Sequence, residues 1–226
     1  MSKKFIALVP MKGHSERVPN KNLKDFNGRP LFHCVVEALL KSKNVSQVVI
    51  NTDSKEIAKN ALDNFDRVII VDRPEEIQGD FVSMNKVLEY DLSQVEGDYF
   101  LQTHSTNPLL TADTIDRAIE AFHQLGSDFD SLFSVTRHQA RFFDKDEKPV
   151  NHNPEELLRT QDLPPLYEEN SNIYLFSRDS FQKTNARIGA HPKIFEMDKI
   201  EAIDIDEPED FIIAESLYKT LRMKKD

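Results

Sequence analysis

Residues 5–23 read Phe5-Ile6-Ala7-Leu8-Val9-Pro10-Met11-Lys12-Gly13-His14-Ser15-Glu16-Arg17-Val18-Pro19-Asn20-Lys21-Asn22-Leu23, and the fold turns on the contrast between the two halves. The first half is a short apolar run without period-2 alternation, which predicts a strand buried on both faces, as in a parallel sheet. The second half is basic and polar, with Lys12, Arg17 and Lys21 among glycine, serine, asparagine and proline, and offers little to a core. A buried strand that opens into such a loop suits nucleotide phosphates, because backbone N–H groups and cations gather at the carboxyl end of a parallel strand. A merely solvated surface loop is the competing interpretation. The acidic pair Asp204/Asp206 and the polar loop at Gln102 weigh against it.

Composition narrows the function classes. The 226 residues fit one domain, residues 1–226, with a small excursion. With 39% hydrophobic and 30% charged residues the chain reads as globular. A formal net charge of −10 argues against a nucleic-acid polymer as partner but leaves a free nucleotide open, since that needs only a local basic loop. The single cysteine, Cys34, lies in an apolar segment and reads as a buried thiol. Neither a signal-peptide pattern nor a membrane-length apolar run is present, so no membrane partner and a cytoplasmic setting are expected.

Outward from the first strand, strand and helix patterns alternate. Residues 30–40 read as a helix with Pro30 in its first turn, and 46–53 as a second buried strand. Ser54 is placed to cap a helix over 55–64, and residues 67–71 form a third strand. A helix over 83–92 and a strand over 98–103 follow. Thr111 or Asp113 caps a helix to about residue 125, and residues 130–136 make a fifth strand. This rhythm predicts an α/β fold, Rossmann-like, with a mostly parallel sheet and helices on both faces. It breaks at residues 138–165, a polar, weakly patterned excursion of the kind that serves function or an interface. Strands over 167–176, 194–197 and 202–206 and a last amphipathic helix from Pro208 to about Leu221 close the chain, with a frayed basic tail at 222–226.

Four groups carry candidate chemistry. Lys12, Arg17 and Lys21 are spaced to converge on a phosphate chain, although the loop is neither a P-loop nor GxGxxG. In Asp204-Ile205-Asp206 a strand would set both carboxylates on one face, and two such groups repel unless a divalent cation lies between them. A helix N-cap at Asp206 is the plainer alternative. Arg73 follows a strand and could fork onto a base or phosphate, or only pair with Glu75 or Glu76. Gln102, His104 and Ser105 bring amide, imidazole and hydroxyl groups to another strand end, suited to a sugar-like acceptor.

Taken in order, these elements resemble the cytidylyltransferases that activate acidic sugars, the CMP-N-acetylneuraminate synthetases and their relatives for other nonulosonates and 3-deoxy-manno-octulosonate. The resemblance covers nearly the whole chain. It runs through Pro19-Asn20-Lys21-Asn22, Gly28 to Leu31, Thr52-Asp53, Arg73 to Glu76, Leu101 to Ser105, Gln161 to Pro164, Asn170 to Tyr174 and Asp204 to Glu215. It implies the nucleotide-diphospho-sugar transferase type of fold and a Mg²⁺-dependent transfer of CMP from CTP to an acceptor oxygen, releasing pyrophosphate, as in surface polysaccharide synthesis. By the same resemblance Lys12, Lys21 and Asp206 are catalytic, and Asp204 and Asp206 bind Mg²⁺. Pro10, Lys12, Gly13, Ser15, Arg17, Asn22, Arg73 and Ser83 face the nucleotide. Gln102, His104, Ser105, Gln161, Tyr167 and Asn170 face the acceptor, and residues 138–165 form the dimerisation arm of a homodimer.

This chain also departs from the pattern. Its loop has Lys12-Gly13-His14-Ser15-Glu16 where Arg-x-Gly-Ser-Lys is usual, and Glu168-Glu169 where an acidic sugar is received. Two carboxylates there would repel an acid unless a cation intervenes. Three alternatives therefore stay open. One is an acid bound by Arg137, Arg141 or Arg159. Another is a non-sialate amino, phospho or phosphonate acceptor, with CTP or another nucleotide. The third is a CTP-binding module without catalysis.

Overall fold

The computed structural model describes residues 4–223. Its strands are β1 (Phe5–Leu8), β2 (Val45–Thr52), β3 (Val68–Asp72), β4 (Tyr99–Gln102), β5 (Ser131–His138), β6 (Leu166–Ser177) and β7 (Pro192–Glu196). They form one sheet of order β3-β2-β1-β4-β6-β5-β7. β1 pairs parallel with β2 and β4, β2 with β3, and β5 with β7. Only β6 runs against its neighbours β4 and β5. The helices are α1 (Phe32–Lys41), α2 (Lys55–Asn64), α3 (Met84–Gln94), α4 (Ala112–His123), α5 (Arg178–Thr184) and α6 (Pro208–Met223).

β1 shows why the sheet is sandwiched. Phe5, Ala7 and Val9 point into a core shared with α1, α2 and α4, while Ile6 and Leu8 point into a second core with α3 and α5. Successive side chains alternate between faces, and here both faces are buried. A third cluster, Phe26, Leu31, Cys34, Ile205, Phe211 and Ala214, packs α6 against the turn before α1. The Phe26 ring meets Phe211 and Tyr218 edge-on at 5.5 and 5.3 Å.

The expected caps hold α2 and α4. The Ser54 hydroxyl accepts from Ile57 N at the start of α2, and Thr111 rather than Asp113 caps α4 by accepting from Thr114 N. Two expectations are corrected. Residues 202–206 are not a strand: they are irregular and join no ladder, and their backbone bond to a distant segment runs from Ile205 N to the Thr106 carbonyl at 3.0 Å. Their alternation has another cause, since Ile203 and Ile205 pack into the third core while Asp204 and Asp206 line a cleft. Asp206 does not cap α6 either. Instead the Asp210 carboxylate, in the first turn, reaches back to accept from the N–H groups of Asp206 and Glu207 just before the helix, at 3.0 and 2.8 Å.

Helix α5 arises where the sequence suggests no element, because its seven residues bury little beyond Phe181. The excursion at 138–165 is largely exposed, with one isolated bridge between Phe143 and Pro149 and a 3₁₀ turn at Thr160–Asp162. Of the tail expected to fray, residues 222 and 223 belong to α6, and residues 1–3 and 224–226 lie outside the described residues. No helix among the described residues is long and apolar enough to cross a membrane.

Arg178 ties the second helical layer together. Its Nε, Nη1 and Nη2 donate to the carbonyls of Gly97, Leu92 and Val95, each at 2.7 Å, satisfying acceptors that the end of α3 leaves open. Arg178→Ala is expected to lower the unfolding free energy in urea titrations by about 2–3 kcal/mol. A loss below about 0.5 kcal/mol, the range of an ordinary surface change, would contradict this role.

Candidate active site

At the carboxyl ends of β1, β3 and β4 lies an open cleft of about 530 Å³. Its walls include Pro10, Lys12, Ser15, Arg17, Lys21, Asn22, Arg73, His104, Ser105, Asp204 and Asp206, so most residues singled out in the sequence come together there. Glu16 also lines it.

The basic loop is built outward from β1. Met11 N donates to the Asn51 carbonyl at 2.9 Å, which carries the chain along β2 past the strand end. Gly13 then donates its N–H to Asp53 Oδ1 at 2.6 Å, so close to α2 that a Cβ on residue 13 would stand 2.8 Å from Ser54 Cβ. Asn20, at φ 52°, starts a 3₁₀ turn, Lys21–Leu23. Asn22 locks the turn: its Nδ2 donates to the Lys12 carbonyl at 2.9 Å, and its Oδ1 accepts from Ser105 Oγ at 2.7 Å. Both ends of this amide are therefore engaged by protein.

Across the cleft stands the acidic segment. Lys21 Nζ, only 13% exposed in its side chain, donates to the Ile205 carbonyl at 2.5 Å and lies 3.5 Å from Asp206 Oδ1. Arg17 reaches Asp206 at 3.0 Å and Glu207 at 2.8 Å. Lys12 pairs with Asp80, whose carboxyl it holds below the usual range. Asp204 is mostly buried, and burial pushes its carboxyl above the usual range. Its Oδ1 is buried without a hydrogen-bond partner. Among the described residues no three of His, Cys, Asp and Glu cluster as a ready-made metal site.

Arg73 does not form the surface pair with Glu75 or Glu76. It is buried, and Nε and Nη2 donate to Asn51 Oδ1 and the Asn51 carbonyl at 2.6 and 3.1 Å. Asn51 Nδ2 donates in turn to Asp91 Oδ1 at 2.6 Å. Asp91 is fully buried on α3, and burial pushes its carboxyl up to about 7. Nothing local marks Asn51, Asp91 or Asp80 in the sequence, because each lies far along the chain from the group it serves. Ser83 caps α3, accepting from Asn85 N, and does not line the cleft.

Among the residues expected to face an acceptor the placements divide. His104 lines the cleft with its pKa lowered to about 4, chiefly by burial, so its imidazole is neutral at pH 7. Gln102 is fully buried behind it and accepts from Arg187 Nη1 at 2.6 Å. Gln161, Tyr167 and Asn170 do not line the cleft. Gln161 is exposed in the 3₁₀ turn of the excursion, and Tyr167 lies opposite Arg137 in the sheet. Asn170 is buried at a bulge next to Ser171 (φ 57°). Its Oδ1 accepts from Ser134 Oγ at 2.6 Å and its Nδ2 donates to Thr136 Oγ1 at 3.1 Å. The feared acidic pair has partners: Glu168 meets His138 Nε2 at 2.6 Å, and Glu169 lies 3.5 Å from Arg187.

A model of the cytidylyltransferase family matches residues 6–224. The chain is 28% identical to the pseudaminic acid cytidylyltransferase of Campylobacter jejuni over 227 residues, covering 96% of this chain and 97% of that one. It is 29% identical to N-acylneuraminate cytidylyltransferase A of Danio rerio over 221 residues, 95% of this chain and 50% of that longer protein. In fold it is similar to the solved structure of a CMP:2-keto-3-deoxy-manno-octonic acid synthetase complexed with CTP. The TM-score is 0.70 at 15% identity, over 96% of this chain and 99% of that one.

The Asp91 network predicts a pH dependence. The folded state holds a proton at Asp91 that the unfolded chain, with an ordinary aspartate near pH 4, gives up. Stability from this group is full below about pH 4 and is lost as pH rises through about 7. Asp91→Asn removes that loss, so the variant should gain on the wild type as pH rises from about 4 to about 7 in urea unfolding. Parallel stability profiles for the two proteins would refute the assignment.

Proposed function

The chain belongs to the cytidylyltransferase family, and from that premise we propose that it transfers CMP from CTP to an oxygen of an acidic sugar of the nonulosonate class, releasing pyrophosphate. One observation carries this reading: Lys12, Arg17 and Lys21 face Asp204 and Asp206 across a single cleft, although some 180 positions separate them in the chain, as in the Lys21–Ile205 contact with its 184-residue separation. The names of the relatives support the acceptor class.

In this reaction the acceptor oxygen bonds to the α-phosphorus as the bond to the pyrophosphate oxygen breaks, and the hydroxyl proton passes to water. Charge develops on phosphate oxygens, so fixed cations lower the barrier. Lys12 and Lys21 hold the triphosphate, with Arg17 at the rim and the Gly13–Ser15 backbone beneath. Binding would draw Lys12 off Asp80 and Lys21 off Asp206. The Lys12 exchange is inexpensive, because a half-exposed ion pair contributes little, and Lys21 keeps the Ile205 carbonyl as a partner. Arg73, aligned by Asn51, faces the nucleoside, with Pro10 and Asn22 beside it. Ser83 acts by setting the first turn of α3. His104, neutral, and Ser105 offer hydrogen bonds to the acceptor, with Gln102 behind them.

Asp204 and Asp206 fit a Mg²⁺ ion. They offer hard oxygen donors, and the unpartnered, buried Asp204 Oδ1 is an acceptor in want of a cation. When bound, the ion would withdraw charge from the triphosphate and the attacking oxygen.

The excursion at residues 138–165 is read as the arm of a homodimer. Phe143, Val150 and Leu157 are exposed there, Leu157 by 86%, and a second copy would cover them. Gln161 and Tyr167, at that surface, enter the proposal only through the dimer. A cytoplasmic setting, where CTP is made, suits the reading.

Two experiments test it. Pyrophosphate release should require CTP, Mg²⁺ and an acid from a panel including pseudaminic and N-acetylneuraminic acids, and Asp206→Ala should lower turnover about 10²–10³-fold with its melting transition kept. CTP binding without turnover on any acceptor would instead identify a non-catalytic module. In sedimentation velocity the wild type should run as a dimer and Leu157→Asp as a monomer. A monomeric wild type would remove the arm's role.

A further inference from the structure

Arg187 lies in the connector between α5 and β7, outside every motif the sequence singles out. Its guanidinium lies over the Tyr174 ring, 3.6 Å from the centroid. Nη1 donates to Gln102 Oε1 at 2.6 Å and stands 3.5 Å from His104 Nε2. Nη2 lies 3.5 Å from Glu169 Oε1, an oxygen that also accepts from the Tyr174 hydroxyl. The backbone N–H of Arg187 donates to Asn85 Oδ1 at 3.2 Å, which ties the connector to α3.

The arrangement differs from an ordinary buried ion pair in two ways. Glu169 is a loose counter-ion: its side chain is 43% exposed against 17% for Arg187, at a distance beyond a good charge-assisted hydrogen bond. Burial accordingly works against the charged guanidinium, lowering its pKa. The group between Arg187 and the cleft is also uncharged, since His104, which lines the cleft, is a neutral imidazole. A planar cation held in plane by a ring and an amide, and only loosely paired, matches a carboxylate better than a hydroxyl or an amine.

We infer that Arg187 is the specificity-determining residue on the acceptor side, taking the carboxylate of the acidic sugar while Gln102 and Tyr174 fix its plane and Glu169 holds the position beforehand. The inference rests on the functional reading above and deepens it. It also accounts for an acidic substrate beside Glu168 and Glu169, since His138 faces the first and the Tyr174 hydroxyl donates to the second independently of Arg187.

The test is steady-state pyrophosphate release with pseudaminic acid and N-acetylneuraminic acid, each as free acid and as methyl ester, for wild type, R187M, R187K and E169Q. The wild type should prefer the acid to the ester, and R187M should raise the KM for the acid about 10- to 100-fold and abolish that preference. The KM for CTP should be unchanged, and R187K should recover part of the loss. An unchanged acid KM in R187M, or an acid preference that survives in it, overturns the inference. If R187M fails to fold, E169Q decides: freeing Arg187 should lower the KM for the acid but not for the ester, and an unchanged ratio counts against the assignment. A wild type that turns over neither acid defeats the functional reading itself, and this inference with it.

Discussion

Ile205 is the residue on which the site depends. Its side chain is fully buried against Phe26 and Phe211, its N–H donates to the Thr106 carbonyl at 3.0 Å, and its own carbonyl accepts from Lys21 Nζ at 2.5 Å. Every group of the residue is thus committed to protein. Its neighbours Asp204 and Asp206 then have one direction left, toward the cleft. An irregular segment is made definite by core packing, the larger force, rather than by a strand ladder. The same residue joins three distant pieces: the basic turn after β1, the loop after β4 and the start of α6.

The cleft pairs its charges internally before any ligand arrives. Lys12 sits on Asp80, Lys21 and Arg17 on Asp206, and Arg17 also on Glu207. In a chain of net charge −10, an unpaired basic loop would be drawn to whichever acidic surface lay near. The half-exposed Lys12–Asp80 and Arg17–Asp206 pairs are weak enough for the proposed triphosphate to replace them. Arg73 is built differently. It is buried and aligned through Asn51 on Asp91, and so behaves as a fixed wall rather than an exchangeable arm.

Local rules carried far in the sequence. The doubly buried β1, the caps at Ser54 and Thr111 and the span of α2 follow from residues next to one another, and the structure keeps them. The basic loop and the acidic pair were visible as compositional anomalies. The pairing that gives each its purpose was not, because it needs β4 beside β1 and Ile205 packed against Phe26 and Phe211 to bring residue 21 to residue 205. Asp204-Ile205-Asp206 misled for a related reason: one buried side chain between two cleft-facing ones imitates a strand over so short a stretch. Arg187 left no trace, since an arginine between Ala186 and Ile188 in a connector is ordinary until Gln102, Tyr174 and Glu169 surround it. Nor does the sequence show that Glu168 and Glu169 meet partners at positions 138 and 187.

The most direct test is a crystal structure of the protein with CTP and Mn²⁺ in place of Mg²⁺, read by anomalous scattering. The account predicts a manganese peak bound by Asp204 and Asp206, with the triphosphate between that ion and Lys12 and Lys21. A nucleotide bound elsewhere, or a metal held away from both aspartates, would contradict it.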